Sequence, residues 1–247
     1  MGRHHRRRTA ARTGGRVAVE TAPPRYQEWL THVFHQPLDP QSPFPAAEIP
    51  PFAASSAEIV ALITHTLRHC GRDLATCSEA QTAAGVDFMF NNSASNTVFA
   101  LKDATVPVAA RLAAIAALRV LYSDCFARRC VPLLSHRDEP AGTPLDEPGG
   151  TPLDGVCYML WDVTPLAWWE DRPDKAVYYD AVLDVLAAAL MLEHDACRWS
   201  ALHGLGHLPD SCRLQVERIV RRFLAQRPTP RPELVQYAVA AASGRVL

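Results

Sequence analysis

The stretch Arg198-Trp-Ser-Ala-Leu-His-Gly-Leu-Gly-His-Leu208 decides how this chain is built. Ala201, Leu202 and Leu205 recur at the spacing of one helix face. Gly204 and Gly206 carry no side chain to hold a neighbour away. A second helix can therefore approach almost to backbone contact. The stretch speaks first to architecture and only second to chemistry.

The same helical period extends outward in both directions. Tyr26–Phe34 reads as a short helix with Trp29, Leu30 and Phe34 on one side. Six prolines between 37 and 51 forbid regular structure there and predict an extended surface arm. Ser55 or Ser56 is a suitable N-cap, and Ile59, Leu62, Ile63 and Leu67 follow at intervals of three and four. Further helices are expected over 76–93, 106–128, 155–167, 175–192, 196–207, 211–226 and 231–243. Pro107, Pro230 and Pro232 stand at helix starts, where a missing N–H costs little. No segment alternates with period two for long enough to argue a strand. The span 134–154 is a Gly/Pro loop that holds a direct duplication, Glu139-Pro-Ala-Gly-Thr-Pro-Leu-Asp146 followed by Glu147-Pro-Gly-Gly-Thr-Pro-Leu-Asp154. Replication slippage in a tolerant loop accounts for it.

The Ala-Leu-His-Gly-Leu-Gly core of the opening stretch resembles the inner helix of a HEAT-like repeat, whose usual pattern is Ala-Leu-Gly-x-Leu-Gly before a short turn. The likeness is clearest over residues 176–226. Cys157 and Cys197, each near the start of a proposed inner helix, stand 40 residues apart, and Cys77 precedes Cys157 by 80. A period near 40 suits helix-hairpin arrays of this type. The resemblance implies an all-α fold, a right-handed α-solenoid of about four irregular HEAT-like hairpins with an extended N-terminal arm. Residues 1–24 are expected to be a disordered basic tail and 25–247 a single helical-repeat domain.

Composition narrows the setting. A net charge of −1 gives no global attraction to nucleic acid or membrane. No apolar run reaches the roughly 18 residues of a membrane span, and Ala181–Leu192 is broken by Asp184. The six arginines before residue 17 have no apolar stretch behind them, so they make no secretory signal. Seven cysteines without a CxxC pair fit reduced thiols in a cytoplasmic protein. Only Lys102 and Lys175 among the 25 basic residues are lysine, which with the abundant Ala and Pro points to a GC-rich bacterial genome.

Chemistry-bearing residues gather in a few places. His194, Cys197, His203 and His207 lie within fourteen residues, and His203 and His207 form an i, i+4 pair. Their spacing matches no zinc pattern, and Gly206 is expected to end the helix before His207. They are read as hydrogen-bonding groups between neighbouring repeats, with no metal and no cofactor. HEAT-like deoxyhypusine hydroxylases bind iron through His-Glu pairs, but here no His precedes Glu, so that activity does not carry over. Asp87 shares a helix face with Asn91, ahead of a polar run through Asn92, Ser93, Ser95 and Asn96. Asp162 follows Trp161 in an apolar helix and needs partners; an arginine or a backbone helix start is expected. Trp168 and Trp169 are adjacent and cannot both enter one core. Arg213, Arg218, Arg221, Arg222, Arg227 and Arg231 form a basic stripe, without the interleaved aromatics of a nucleic-acid platform. The first expectation for function is an interaction or scaffold module that binds a protein partner. The second is a small-molecule binder or enzyme with a polar pocket built from Asp87, Asn91, Asn92, Asp162, His203 and His207.

Overall fold

The structure is a computed structural model that describes residues 21–38, 49–132, 134, 150–226 and 231–246. The first twenty residues, most of the proline-rich arm, the first copy of the duplication, Arg227 and Pro230 lie outside the described residues. The protein is all-α, with 71% helix, ten α-helices and no strand among the described residues. They are α1 Tyr26–Phe34, α2 Ser56–Asp73, α3 Glu79–Phe90, α4 Val108–Val120, α5 Ala127–Arg129, α6 Pro152–Val163, α7 Lys175–Leu190, α8 Asp195–His207, α9 Arg213–Gln226 and α10 Pro232–Ala242. No helix among them is long and apolar enough to cross a membrane.

Local chemistry sets the ends. Ser55 caps α2 by accepting from the Glu58 amide at 3.3 Å. Ser78 and Gln81 close a reciprocal capping box, so α3 starts at Glu79 and not at 76. The expected helix over 106–128 is interrupted. A π-helical turn, Leu121–Phe126, joins α4 to the short α5. The expected helix over 155–167 starts earlier and stops sooner. Pro152 takes the first helical position, and the Asp154 carboxylate accepts from the Thr151 amide at 2.6 Å and from the Val131 amide at 2.8 Å. The second Thr-Pro-Leu-Asp copy is therefore a helix start and not loop. At the other end, Pro165 pushes Thr164 into extended backbone and α6 closes at Val163.

Packing follows chain order with a stride of about two helices. α2 packs on α4, α4 on α7 and α7 on α9. In parallel, α3 packs on α6, α6 on α8 and α8 on α10. α7 also meets α8, and α9 meets α10. α8 thus has neighbours on most sides, and every residue from Cys197 to Gly206 is buried. Trp169 is buried and stacks on Tyr178 at 4.1 Å, whereas Trp168 is 56% exposed. All seven cysteines are free and buried. Circular dichroism of the full chain is expected to be dominated by helix. A strand content of roughly 20%, that of an ordinary mixed domain, would contradict the fold.

Candidate functional site

The site is set up by the crossing of α6 and α8. An ideal Cβ on Gly204 would stand 2.6 Å from Trp161 Cγ and 2.9 Å from Leu186 Cδ2. The bare glycine lets the indole of α6 lie against α8. Trp161 is held there by a directed chain of buried hydrogen bonds. Its Nε1–H donates to the Tyr122 hydroxyl at 2.8 Å, Tyr122 bonds Ser200 Oγ at 2.7 Å, and Ser200 donates to the Cys157 carbonyl at 2.5 Å. Since Ser200 spends its proton on Cys157, it accepts from Tyr122, and every donor in the chain has a partner. Tyr122 comes from the π-helical turn, and the chain ties that turn to α6 and α8.

One residue beyond Trp161 is Asp162, and one residue before Gly204 is His203. The close crossing brings them together. Asp162 Oδ2 lies 2.6 Å from His203 Nε2, and Asp162 Oδ1 lies 2.7 Å from His207 Nε2. The two Nε2 atoms are 3.1 Å apart. The other ring nitrogen of His203 bonds the Tyr237 hydroxyl from α10. Tyr158 packs over the His203 ring with centroids 4.6 Å apart, and Tyr237 stacks on Trp199 at 3.8 Å. His203 is thereby fixed in position and orientation. Its side chain is 2% exposed, against 22% for Asp162 and 37% for His207. The cluster is anchored inside the fold and opens outward. Burial works against the charge on Asp162, but the hydrogen bonds of His203 and His207 outweigh it and hold this carboxyl well below the usual carboxylate range.

Two expectations change here. Asp162 pairs with imidazoles and not with an arginine or a helix start, because α8 and not an arginine-bearing face lies against its turn of α6. Gly206 does not end α8, which runs through His207. A Cβ at Gly206 would lie 2.4 Å from Val246 Cγ2, so this glycine makes room for the C-terminal segment.

The remaining candidates separate from the cluster. His194 and Cys197 stand at the opposite end of α8, about 9–20 Å along the helix from His203 and His207 at its regular rise. There His194 accepts from the Cys197 amide and bonds the Cys130 carbonyl at 3.0 Å. Asp87 and Asn91 bond each other at 2.9 Å, and Asn91 caps the end of α3 by accepting from the Ser93 amide. Burial raises the Asp87 carboxyl, and the Asn91 bond only partly offsets this. The Asn92 amide donates to the Val163 carbonyl at 3.2 Å, which pins this turn beside the last residue of α6. The Asp87–Asn91 pair therefore terminates α3, while Asp162, His203 and His207 share one point. In the arginine stripe, Arg213 clamps the Leu208 and Ala241 carbonyls, and Arg218, Arg221 and Arg222 are exposed on α9. Sequence reasoning missed Tyr237 and Tyr122. The available signal was a hydroxyl-bearing aromatic on a helix face otherwise lined by Leu234, Ala238 and Ala241.

Chemically, the cluster offers a carboxylate held in its charged form and imidazole nitrogens that carry lone pairs or protons. It can take a cation, hydrogen-bond a polar ligand, or hold a proton. Comparison with family models, with curated proteins and with solved structures returns no match.

Proposed function

We infer that this chain is a ligand-binding protein of HEAT-like, helical-repeat build, whose site is the Asp162–His203–His207 cluster. The observation that carries this reading is the convergence of three side chains, from helices 41 residues apart, on one partly open point. A purely structural histidine needs one or two partners. This arrangement brings a carboxylate and two imidazoles to a single spot, with a phenol holding one of the imidazoles from behind. Asp87, Asn91 and Asn92 belong to the neighbouring turn and border the site at most. The contacts of α7 with α8 and of α9 with α10, together with the packing of α7 on α9 and of α8 on α10, support two stacked helix pairs over the C-terminal half, as a solenoid would have.

Binding of a protein partner is the second reading, and the exposed Trp168 favours it. Native mass spectrometry of freshly purified, untagged protein separates the two. The ligand reading expects extra mass on the parent chain that is lost in Asp162→Asn and His207→Gln. A parent chain with no added mass, together with partner capture that depends on Trp168, would replace it with the interaction reading.

A further inference from the structure

We propose that Asp162, His203 and His207 bind one divalent first-row transition-metal ion, of the zinc or iron(II) kind, with its remaining coordination positions open to water. The inference rests on the cluster being the ligand site and names the ligand.

Proton accounting is the first argument. Three contacts meet here: Asp162 Oδ2 to His203 Nε2 at 2.6 Å, Asp162 Oδ1 to His207 Nε2 at 2.7 Å, and Nε2 to Nε2 at 3.1 Å. If both Nε2 atoms carry protons, two N–H groups crowd each other. If either lacks one, its lone pair faces a carboxylate oxygen. No assignment of protons to two neutral imidazoles and one carboxylate makes all three contacts attractive. A cation at their common centre does, because both imidazole nitrogens and the carboxylate then direct lone pairs at it.

Geometry is the second argument. The candidate ligand atoms lie within 4.8 Å of one another. Ligands at about 2.1 Å from one ion, separated by roughly 90–109°, stand about 3.0–3.4 Å apart. The nitrogen pair is already at that separation. The carboxylate oxygens need to retreat by a few tenths of an ångström, and Asp162 is at the open edge where that is easy.

The supporting residues fit the same role. The Tyr237 hydroxyl can accept from His203 Nδ1–H, which fixes the tautomer that leaves Nε2 free for a metal. Tyr158 holds the ring plane. Two nitrogens and one carboxylate oxygen suit zinc or iron(II) better than magnesium or calcium, which prefer all-oxygen sets. Three protein ligands leave at least one position vacant, and the exposed side of Asp162 and His207 lets water reach it. Such an ion would be exchangeable and able to activate a bound water, unlike a closed structural site.

The test uses the full-length, untagged chain. It is stripped with a chelator and titrated with zinc alone by calorimetry, then with cobalt(II), whose visible absorption reports the ligand set. One ion per chain is expected, with a cobalt spectrum of nitrogen and oxygen ligation. Tyr237→Phe should weaken zinc binding by about 10–100-fold, the effect of losing an outer partner. Asp162→Asn and His207→Gln should each weaken it further, while circular dichroism shows them folded. His207 sits at the exposed edge, so its variant keeps the test valid if Asp162→Asn unfolds. Failure to bind zinc stoichiometrically, or binding unchanged in His207→Gln, overturns the metal assignment. If zinc fails but mass spectrometry finds an organic molecule held by the same residues, the ligand site stands without the metal. If neither is held, both readings fall.

Discussion

Gly204→Leu is expected to destabilise the protein by about 1–3 kcal/mol or more through overpacking. In an exposed helix, replacing glycine by a better helix former gains roughly 1 kcal/mol. At Gly204 that gain is outweighed. The first added carbon would already stand 2.6 and 2.8 Å from the Trp161 ring and 2.9 Å from Leu186, and both neighbours are buried. Displacing Trp161 also strains its bond to Tyr122, a buried hydrogen bond whose loss costs about 1–3 kcal/mol. Gly155 provides the control. It lies exposed within α6, and an added Cβ would meet nothing within 4 Å. Gly155→Ala is expected to stabilise by roughly 0.5–1 kcal/mol. Urea unfolding of the two variants should therefore shift in opposite directions. A Gly204→Leu midpoint equal to the parent's would mean that α6 and α8 do not touch here.

The second large effect belongs to Asp162. In metal-free protein at neutral pH, Asp162→Asn is expected to cost on the order of 1.5–3 kcal/mol, the contribution of a hydrogen bond to a charged group. The effect should depend on pH with a definite sign. The folded state holds this carboxyl below its unfolded value, so the contribution is complete above the unfolded carboxylate range. It is lost as pH falls through the folded value. The parent and variant stability curves should accordingly converge in acid and separate towards neutrality. Asp103 is also held down, to about 2, by hydrogen bonds from Ser56 and Thr105, so the parent's acid transition is not Asp162's alone. The difference between parent and variant isolates it. A gap that stays constant from neutral pH into strong acid would show that Asp162 is not charged in the folded protein.

Much of the helical layout was legible because it is local. The intervals of three and four after Ser55, the capping serine itself and the Gly-Leu-Gly run each act within a few residues, and the elements form where those signals stand. The boundaries that moved did so for local reasons that hydrophobic periodicity does not carry. Thr151-Pro-Leu-Asp154 reads as the second half of a repeat, yet its proline and aspartate are a helix start. The π-helical turn had no signal in composition, and its Tyr122 finds partners in Ser200 and Trp161 only across the core. The site was half legible. His203 and His207 announce themselves at i, i+4, and Asp162 stands out as a carboxylate among apolar neighbours. That these three meet depends on α6 crossing α8 at Gly204, a contact between residues about forty positions apart. Asp87 and Asn91 were equally visible and turned out to bond each other, because the same polar spacing also serves to end a helix.

The most direct test of the account is a crystal structure of the full chain grown with zinc, with diffraction recorded at the zinc absorption edge. The account predicts one anomalous peak within about 2.0–2.2 Å of Asp162, His203 Nε2 and His207 Nε2, with Tyr237 bonded behind His203. Side chains of Asp162, His203 and His207 turned away from a common point, or zinc bound only elsewhere on the surface, would contradict it.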